Sequence, residues 1–266
     1  MPRSLPVMEP RKFGETLRRD RWWMANIVVV TILSSFLAYA TWAALQNGNY
    51  THGPYLSPFY SPEIWGASPH AWFGPKPTWW PSVVPFSPAL IILPIPALFR
   101  FTCYYYRGAY YKAFWADPPA CAVGEPRDSY LGENSFPLIM QNVHRYGLLL
   151  SFILLVFLWY DAYLAFWFDD GSGGTEFGIG VGSVVMLTNV VLLSGYTIGC
   201  HSMRHVVGGM LDRLSRAPIR KLAYDCSSAC NRGHMNWAWC SLFSVALTDV
   251  YIRLCASGVL TDVRML

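Results

Sequence analysis

The sequence predicts an all-α polytopic membrane protein with five transmembrane helices, its N-terminus cytoplasmic and its C-terminus outside. Three observations predict it. Apolar and aromatic residues make up 53% of the 266 residues and charged ones only 14%, whereas a typical soluble domain is about a quarter charged. The apolar residues gather into five runs that approach or reach the ~20 residues a helix needs to cross the hydrocarbon core. Lys and Arg are shared unequally between the segments that join those runs.

The first run, Trp22 to Leu45, follows a polar arm (1–21) that carries Arg3, Arg11, Lys12, Arg18, Arg19 and Arg21 among Pro2, Pro6 and Pro10. That arm has no short apolar core followed by small residues, so no cleaved signal is expected and the first span is retained. The loop 46–85 holds one basic residue, Lys76, and is rich in Pro, Gly and Trp. An ordered outer cap is expected, with Trp65, Trp72, Trp79 and Trp80 as a headgroup-level belt. His52 and His70 in this loop read as structural or solvated.

The second run, Phe86 to Tyr105, contains Pro88, Pro94 and Pro96 after Pro85. Each ring removes a backbone donor and crowds the preceding turn, which predicts a bent span. An aromatic piece, Ala109 to Trp115, then suits the interface, and Pro118 and Pro119 fix an extended or turned loop carrying Cys121. The third run, Leu138 to Phe168, opens on polar residues and His144. The fourth, Ile179 to Met203, ends in Gly199-Cys200-His201-Ser202-Met203-Arg204-His205. The fifth, Met235 to Ala256, contains Asp249 and Arg253, four apart and expected to pair and so hide both charges. A short outer tail, 257–266, closes the division into arm, five-helix domain (22–256) and tail.

Basic residues sit in the arm, after the second run (Arg107, Lys112, Arg127) and after the fourth (Arg204, Arg213, Arg216, Arg220, Lys221, Arg232), and the loop 169–178 has none. This sets the orientation. The net charge of +4 therefore reports topology, and no basic stripe for nucleic acid is present. Of the seven cysteines, Cys103, Cys121, Cys200, Cys226 and Cys230 fall on or near the cytoplasmic side, where thiols stay reduced, so disulfides are not expected.

The chemistry lies in depth rather than in one motif. Spans two and four end, and spans three and five begin, at the same face, so Cys103, His144, Cys200, His201, His205 and His234 converge there. His201 and His205 share a helix face. Cys226, Cys230 and His234, spaced i, i+4 and i+8, are expected to share another. The inventory excludes some centres. A transmembrane diheme needs histidines at two depths, and no span carries one in its outer half. A di-iron hydroxylase needs more than the six histidines present. One heme, a zinc site or a cluster with thiolate and imidazole ligands all remain permitted. Without paired, broken or repeated spans, transport is disfavoured.

The runs TCYYYRGAYYKAFWADPPACAV (Thr102 to Val123), QNVHRYG (Gln141 to Gly147), LLSGYTIGCHSMRHVVGG (Leu192 to Gly209) and HMNWAW (His234 to Trp239) carry a resemblance. They resemble the membrane-anchor subunit of actinobacterial, mycobacterial-type succinate dehydrogenase, a complex II of the bacterial plasma membrane. The resemblance covers nearly the whole chain after Trp22. It implies a five-span anchor that docks flavoprotein and iron-sulfur subunits in a lipid bilayer, and a Rieske-type 2Fe-2S cluster in place of heme. The usual soluble Rieske spacing of Cys and His is absent. The ligand candidates therefore rest on convergence and likeness together: Cys121 and Cys200 with Cys103 for the thiolates, and two of His144, His201 and His205 for the imidazoles.

The resemblance further implies electron transfer from a soluble iron-sulfur subunit through that cluster to menaquinone or ubiquinone, with succinate chemistry left to a partner. Quinone carbonyls need donors beside an apolar slot. Tyr104, Tyr106, Arg107, Asn142, Arg145, Tyr146, Ser202 and Trp237 are the candidates for it. A single-heme b-type anchor, or a scaffold with a quinone pocket and no centre, are the alternatives.

Overall fold

The computed structural model describes residues 19–103, 105–116, 134–136 and 138–266. Among them, four helices are long and apolar enough to cross a membrane: α1 (Trp23–Gln46), α4 (Ile139–Leu164), α5 (Val181–Ile198) and α8 (His234–Ala256). The expected second span is different. It is divided into α2 (Pro88–Ile92) and α3 (Pro94–Thr102), each with proline in its first turn. Proline is tolerated there because the first N–H groups of a helix have no intrahelical acceptor. The run is thus a short, broken helix rather than one of full spanning length.

The fourth run is also interrupted. α5 stops at Gly199, Cys200 is extended (φ −65°, ψ 138°), and α6 (His201–Gly208) starts afresh. A side chain at Gly199 would meet the Gly195 carbonyl oxygen at 2.6 Å and Cys230 backbone at 3.0 Å, so the break depends on the missing Cβ. α7 (Pro218–Arg232) supplies donors that the end of α5 lacks: Ser227 Oγ donates to the Ile198 carbonyl at 2.7 Å and Asn231 Nδ2 to the Gly199 carbonyl at 2.7 Å. α7 ends at Gly233, and His234 begins α8. Cys226, Cys230 and His234 therefore do not lie along one helix face as their spacing predicts, since Gly233 interrupts it.

Helices pack closely where small residues permit. A Cβ on Gly147 would stand 3.2 Å from the Phe99 Cα, and one on Gly195 would strike the Trp237 ring at 2.4 Å. α3 thus sits against α4, and α5 against α8. α1 is the exception, with only Asn26, Ala43 and Ala44 buried along it.

The opposite end is closed by residues 47–87, which include a two-stranded hairpin, β1 (Thr51–His52) and β2 (Tyr55–Leu56). A second hairpin, β3 (Trp167–Asp169) with β4 (Thr175–Phe177), joins α4 to α5. Tyr55 lies against Gly182 and donates from its hydroxyl to Asp262 at 2.7 Å. Glu63, fully buried, accepts from Tyr50 Oη at 2.9 Å and from Ser68 Oγ. Asp249 pairs with Arg253 at 2.7 Å as the spacing predicts. It also accepts from Tyr39 Oη at 2.6 Å and from Ser57 Oγ, while Arg253 reaches the carbonyls of Ala43 and Gly48. These bonds tie α1, the cap and α8 together at that end.

Candidate functional site

At the other end, the ends of α3 and α5 and the starts of α4 and α8 surround a cavity of about 680 Å³. Four ligand-type side chains meet there, each from a different element. Cys103 terminates α3, His144 lies in the first turns of α4, Cys200 occupies the α5–α6 break, and His234 opens α8. All are buried: 3% exposed for Cys103, 5% for His144, 2% for Cys200 and 7% for His234. His144 Nε2 is 3.1 Å from Cys200 Sγ, and His234 Nε2 is 3.9 Å from Cys103 Sγ.

The orientation of His144 follows from its neighbours. Thr102 Oγ1 donates its single proton to the Leu98 carbonyl at 2.7 Å and lies 2.9 Å from His144 Nδ1. The hydroxyl must therefore accept from an Nδ1–H, which assigns the unprotonated nitrogen to Nε2, facing the thiol. A ligating histidine is commonly held this way, its second nitrogen donating to a fixed oxygen. The ring also stacks on Phe99, with centroids 4.7 Å apart and planes 8° from parallel. His234 stacks on Tyr196 at 5.0 Å and 15°, and its Nδ1 is buried with no hydrogen-bond partner among the described residues.

Two thiols and two imidazoles are the donor complement of a mixed-ligand 2Fe-2S centre, or of a tetrahedral metal site. The residues present fit such a group in number, chemistry and burial. Among the described residues, no three His, Cys, Asp or Glu side chains gather about one ion position. The donors lie in two Cys–His pairs, whereas a Rieske-type centre takes both imidazoles on one iron and both thiolates on the other.

His201 and His205 line the same cavity, but at its exposed rim. They face each other along α6 with Nε2 atoms 3.0 Å apart, so one donates to the other. Partial burial first, then His205 and Arg204, hold His201 below the ordinary imidazole range. Cys121 and Tyr104 lie outside the described residues. Arg107, Arg145 and Ser202 line the cavity, and Asn142 Oδ1 accepts from Arg145 at 3.4 Å. Tyr106, Tyr146 and Trp237 do not line it. Tyr106 is buried against Arg100, Tyr146 is 69% exposed, and Trp237 covers Gly195. Sequence reasoning placed His234 at this depth yet left it out of the ligand set. The signal that finds it is Gly233, a helix breaker directly before an apolar run.

The model of the family described as actinobacterial succinate dehydrogenase subunit SdhC matches residues 24–258. The chain belongs to that family. Among solved structures, the chain is similar to one in the Mycobacterium smegmatis Sdh1 complex in the apo form, with 42% sequence identity and a TM-score of 0.80 over 98% of each chain. No curated protein matches. As an SdhC-family member, the protein is a membrane-anchor subunit of succinate dehydrogenase, an oxidoreductase complex. Its buried thiol and imidazole set lies inside the matched segment.

Proposed function

We propose that the chain is the membrane-anchor and electron-transfer subunit of a succinate:quinone oxidoreductase, and that Cys103, Cys200, His144 and His234 hold a Rieske-type 2Fe-2S cluster. The observation that carries the reading is the meeting of two buried thiols and two buried imidazoles from four elements at one end of the bundle. When bound, such a centre exchanges single electrons at a potential raised by its imidazole ligands. The chain's own residues do the rest. Thr102 fixes the His144 tautomer, Phe99 and Tyr196 back the two imidazoles with apolar rings, and burial keeps water from the donors.

Family membership and likeness along almost the whole chain support two soluble partners, a flavoprotein that oxidises succinate and an iron-sulfur subunit. The polar rim of the cavity, with Arg107, Arg145, Arg232 and the His201–His205 pair, suits contact with a soluble subunit. Succinate oxidation releases two electrons and two protons, and a quinone takes up two of each to become the quinol. The apolar residues 88–102 would cover roughly 22 Å at helical rise, and Cys103 continues them in extended form. Counted as a span, they complete a five-span anchor in the bacterial plasma membrane. The basic segments then put the N-terminal arm and the cavity on the cytoplasmic side and the C-terminus outside.

The test is EPR and optical spectroscopy of the purified, dithionite-reduced complex, with His144→Ala and His234→Ala beside the unmodified chain. The expected result is a 2Fe-2S signal with the low average g-value of imidazole ligation, lost in each variant together with quinone reduction. A heme α band, or a signal that survives both substitutions, overturns the reading.

A further inference from the structure

α7 turns its polar face towards the protein. Arg220, Tyr224, Ser227 and Asn231 recur at helical spacing and share one side of the helix. All four are bonded to the α5–α6 segment. Arg220 donates to the carbonyls of Val207, at 2.8 Å, and Gly209, and Tyr224 Oη accepts from Arg204 at 3.0 Å. Ser227 and Asn231 hold the carbonyls at the end of α5. On the opposite side Ile219, Leu222, Cys226 and Ala229 repeat at the same spacing and are all exposed, Ile219 by 82% and Leu222 by 73%. A helix at a water-facing surface shows the reverse, with its apolar stripe inward and its polar side out.

Basic residues border this apolar face. Residues 211–232 hold five basic and two acidic side chains. Arg220 is turned inward, and Lys221 pairs with Asp225 at 2.5 Å. Arg213 and Arg216 are exposed, and neither has an ion-pair partner among the described residues. An outward apolar face with a basic border matches the acyl and headgroup zones of an anionic leaflet, where such a helix lies in the plane of the interface. We propose that α7 rests on the membrane at the cavity end of the bundle, its apolar face at the acyl boundary and Arg213 and Arg216 on the phosphates of anionic phospholipids. The Ser227 and Asn231 bonds to the end of α5, and the passage through Gly233 straight into α8, hold the last turns of α7 at the level where two spans end. Beyond the Cys226 thiol the exposed face offers no side-chain hydrogen-bonding group, which suits acyl chains, whereas a soluble subunit is offered the polar rim of the cavity. The proposal does not depend on the metal centre.

The experiment puts the photoreactive residue p-benzoylphenylalanine in place of Leu222 in the whole complex. The complex is set in nanodiscs of equal parts phosphatidylcholine and phosphatidylglycerol, and the products of illumination are identified by mass spectrometry. Leu222 is exposed, so the larger ring needs no room in the core, and Ile219 is a second position on the same face. Phospholipid adducts are expected, with phosphatidylglycerol favoured at least about fivefold, the scale of one juxtamembrane basic residue. Arg213→Gln together with Arg216→Gln is expected to bring that ratio close to one while the complex stays assembled and the lipid adducts persist. An adduct with the flavoprotein or iron-sulfur subunit, or no adduct from either position, overturns the proposal. So does a ratio near one with both arginines present, or a preference that survives their replacement.

Discussion

His144 Nε2 stands 3.1 Å from Cys200 Sγ although 56 residues separate them, and the thiol sits in the break between α5 and α6. The His201–His205 pair of α6 faces itself at the exposed rim instead. This difference predicts an order among substitutions. His144→Ala and His234→Ala are expected to abolish the 2Fe-2S EPR signal. His201→Ala and His205→Ala are expected to leave it at half or more of its intensity per complex. Equal loss in all four would return His201 and His205 to the ligand set.

Thr102 acts through His144. Thr102→Val keeps the shape and removes the oxygen that accepts from Nδ1–H. Loss of such an outer-shell partner typically costs about 10–100-fold in metal affinity or activity. The iron content of the purified complex should fall, and the midpoint potential of the remaining centres should shift. Unchanged iron content and potential would show that the bond is incidental. Thr102→Ser, which keeps the oxygen, is expected to restore both.

The Asp249–Arg253 pair at the opposite end is a mechanical joint. Asp249 takes three donors and Arg253 carries two backbone carbonyls of the α1 end and the cap. Breaking a buried pair by removing one partner costs about 3–5 kcal/mol. Asp249→Ala and Arg253→Ala should each lower the thermal midpoint of the detergent-solubilised complex by several degrees. The double variant should lose less than the sum of the two. Additive losses would mean that the two charges do not depend on each other.

His70 is expected to make the cap sensitive to pH. Burial holds its imidazole below the ordinary value, against the smaller opposing effects of the Gly53 backbone and Glu63. A histidine whose folded value is depressed favours the folded form while neutral. The stability it allows is therefore complete above the unfolded value, about 6.5, and declines as pH falls through that value. Amide exchange over residues 63–74 should be faster at pH 5.5 than at pH 7.5 after correction for the intrinsic rate. His70→Gln should flatten that difference, and a difference that survives in the variant assigns it to another group.

Much of this arrangement was legible in the sequence because it is written in hydropathy and charge. The four long helices lie within a few residues of their apolar runs, and the Asp249–Arg253 spacing announces the pair. The convergence of Cys103, His144, Cys200 and His234 follows from counting which runs end and which begin at one face. Helix breaks were harder to place. Proline at 94 predicts a bend but not a division into two short helices, since the outcome depends on whether neighbours cover the freed carbonyls. The spacing of Cys226, Cys230 and His234 suggests one helix face only if Gly233 is read through. Which histidines go inward is a matter of packing: Phe99 and Tyr196 take the rings of His144 and His234, and no periodicity reports that.

The four inward donors also impose an order on biogenesis. Cys103 and His234 are 131 positions apart, and the last donor opens the final helix. A nascent chain translated through α6 holds only three of the four. The donor pocket closes only after the ribosome has delivered α8 and that helix has settled against α5. Loading of the proposed centre would therefore follow completion of the membrane bundle, from the face where the cavity opens.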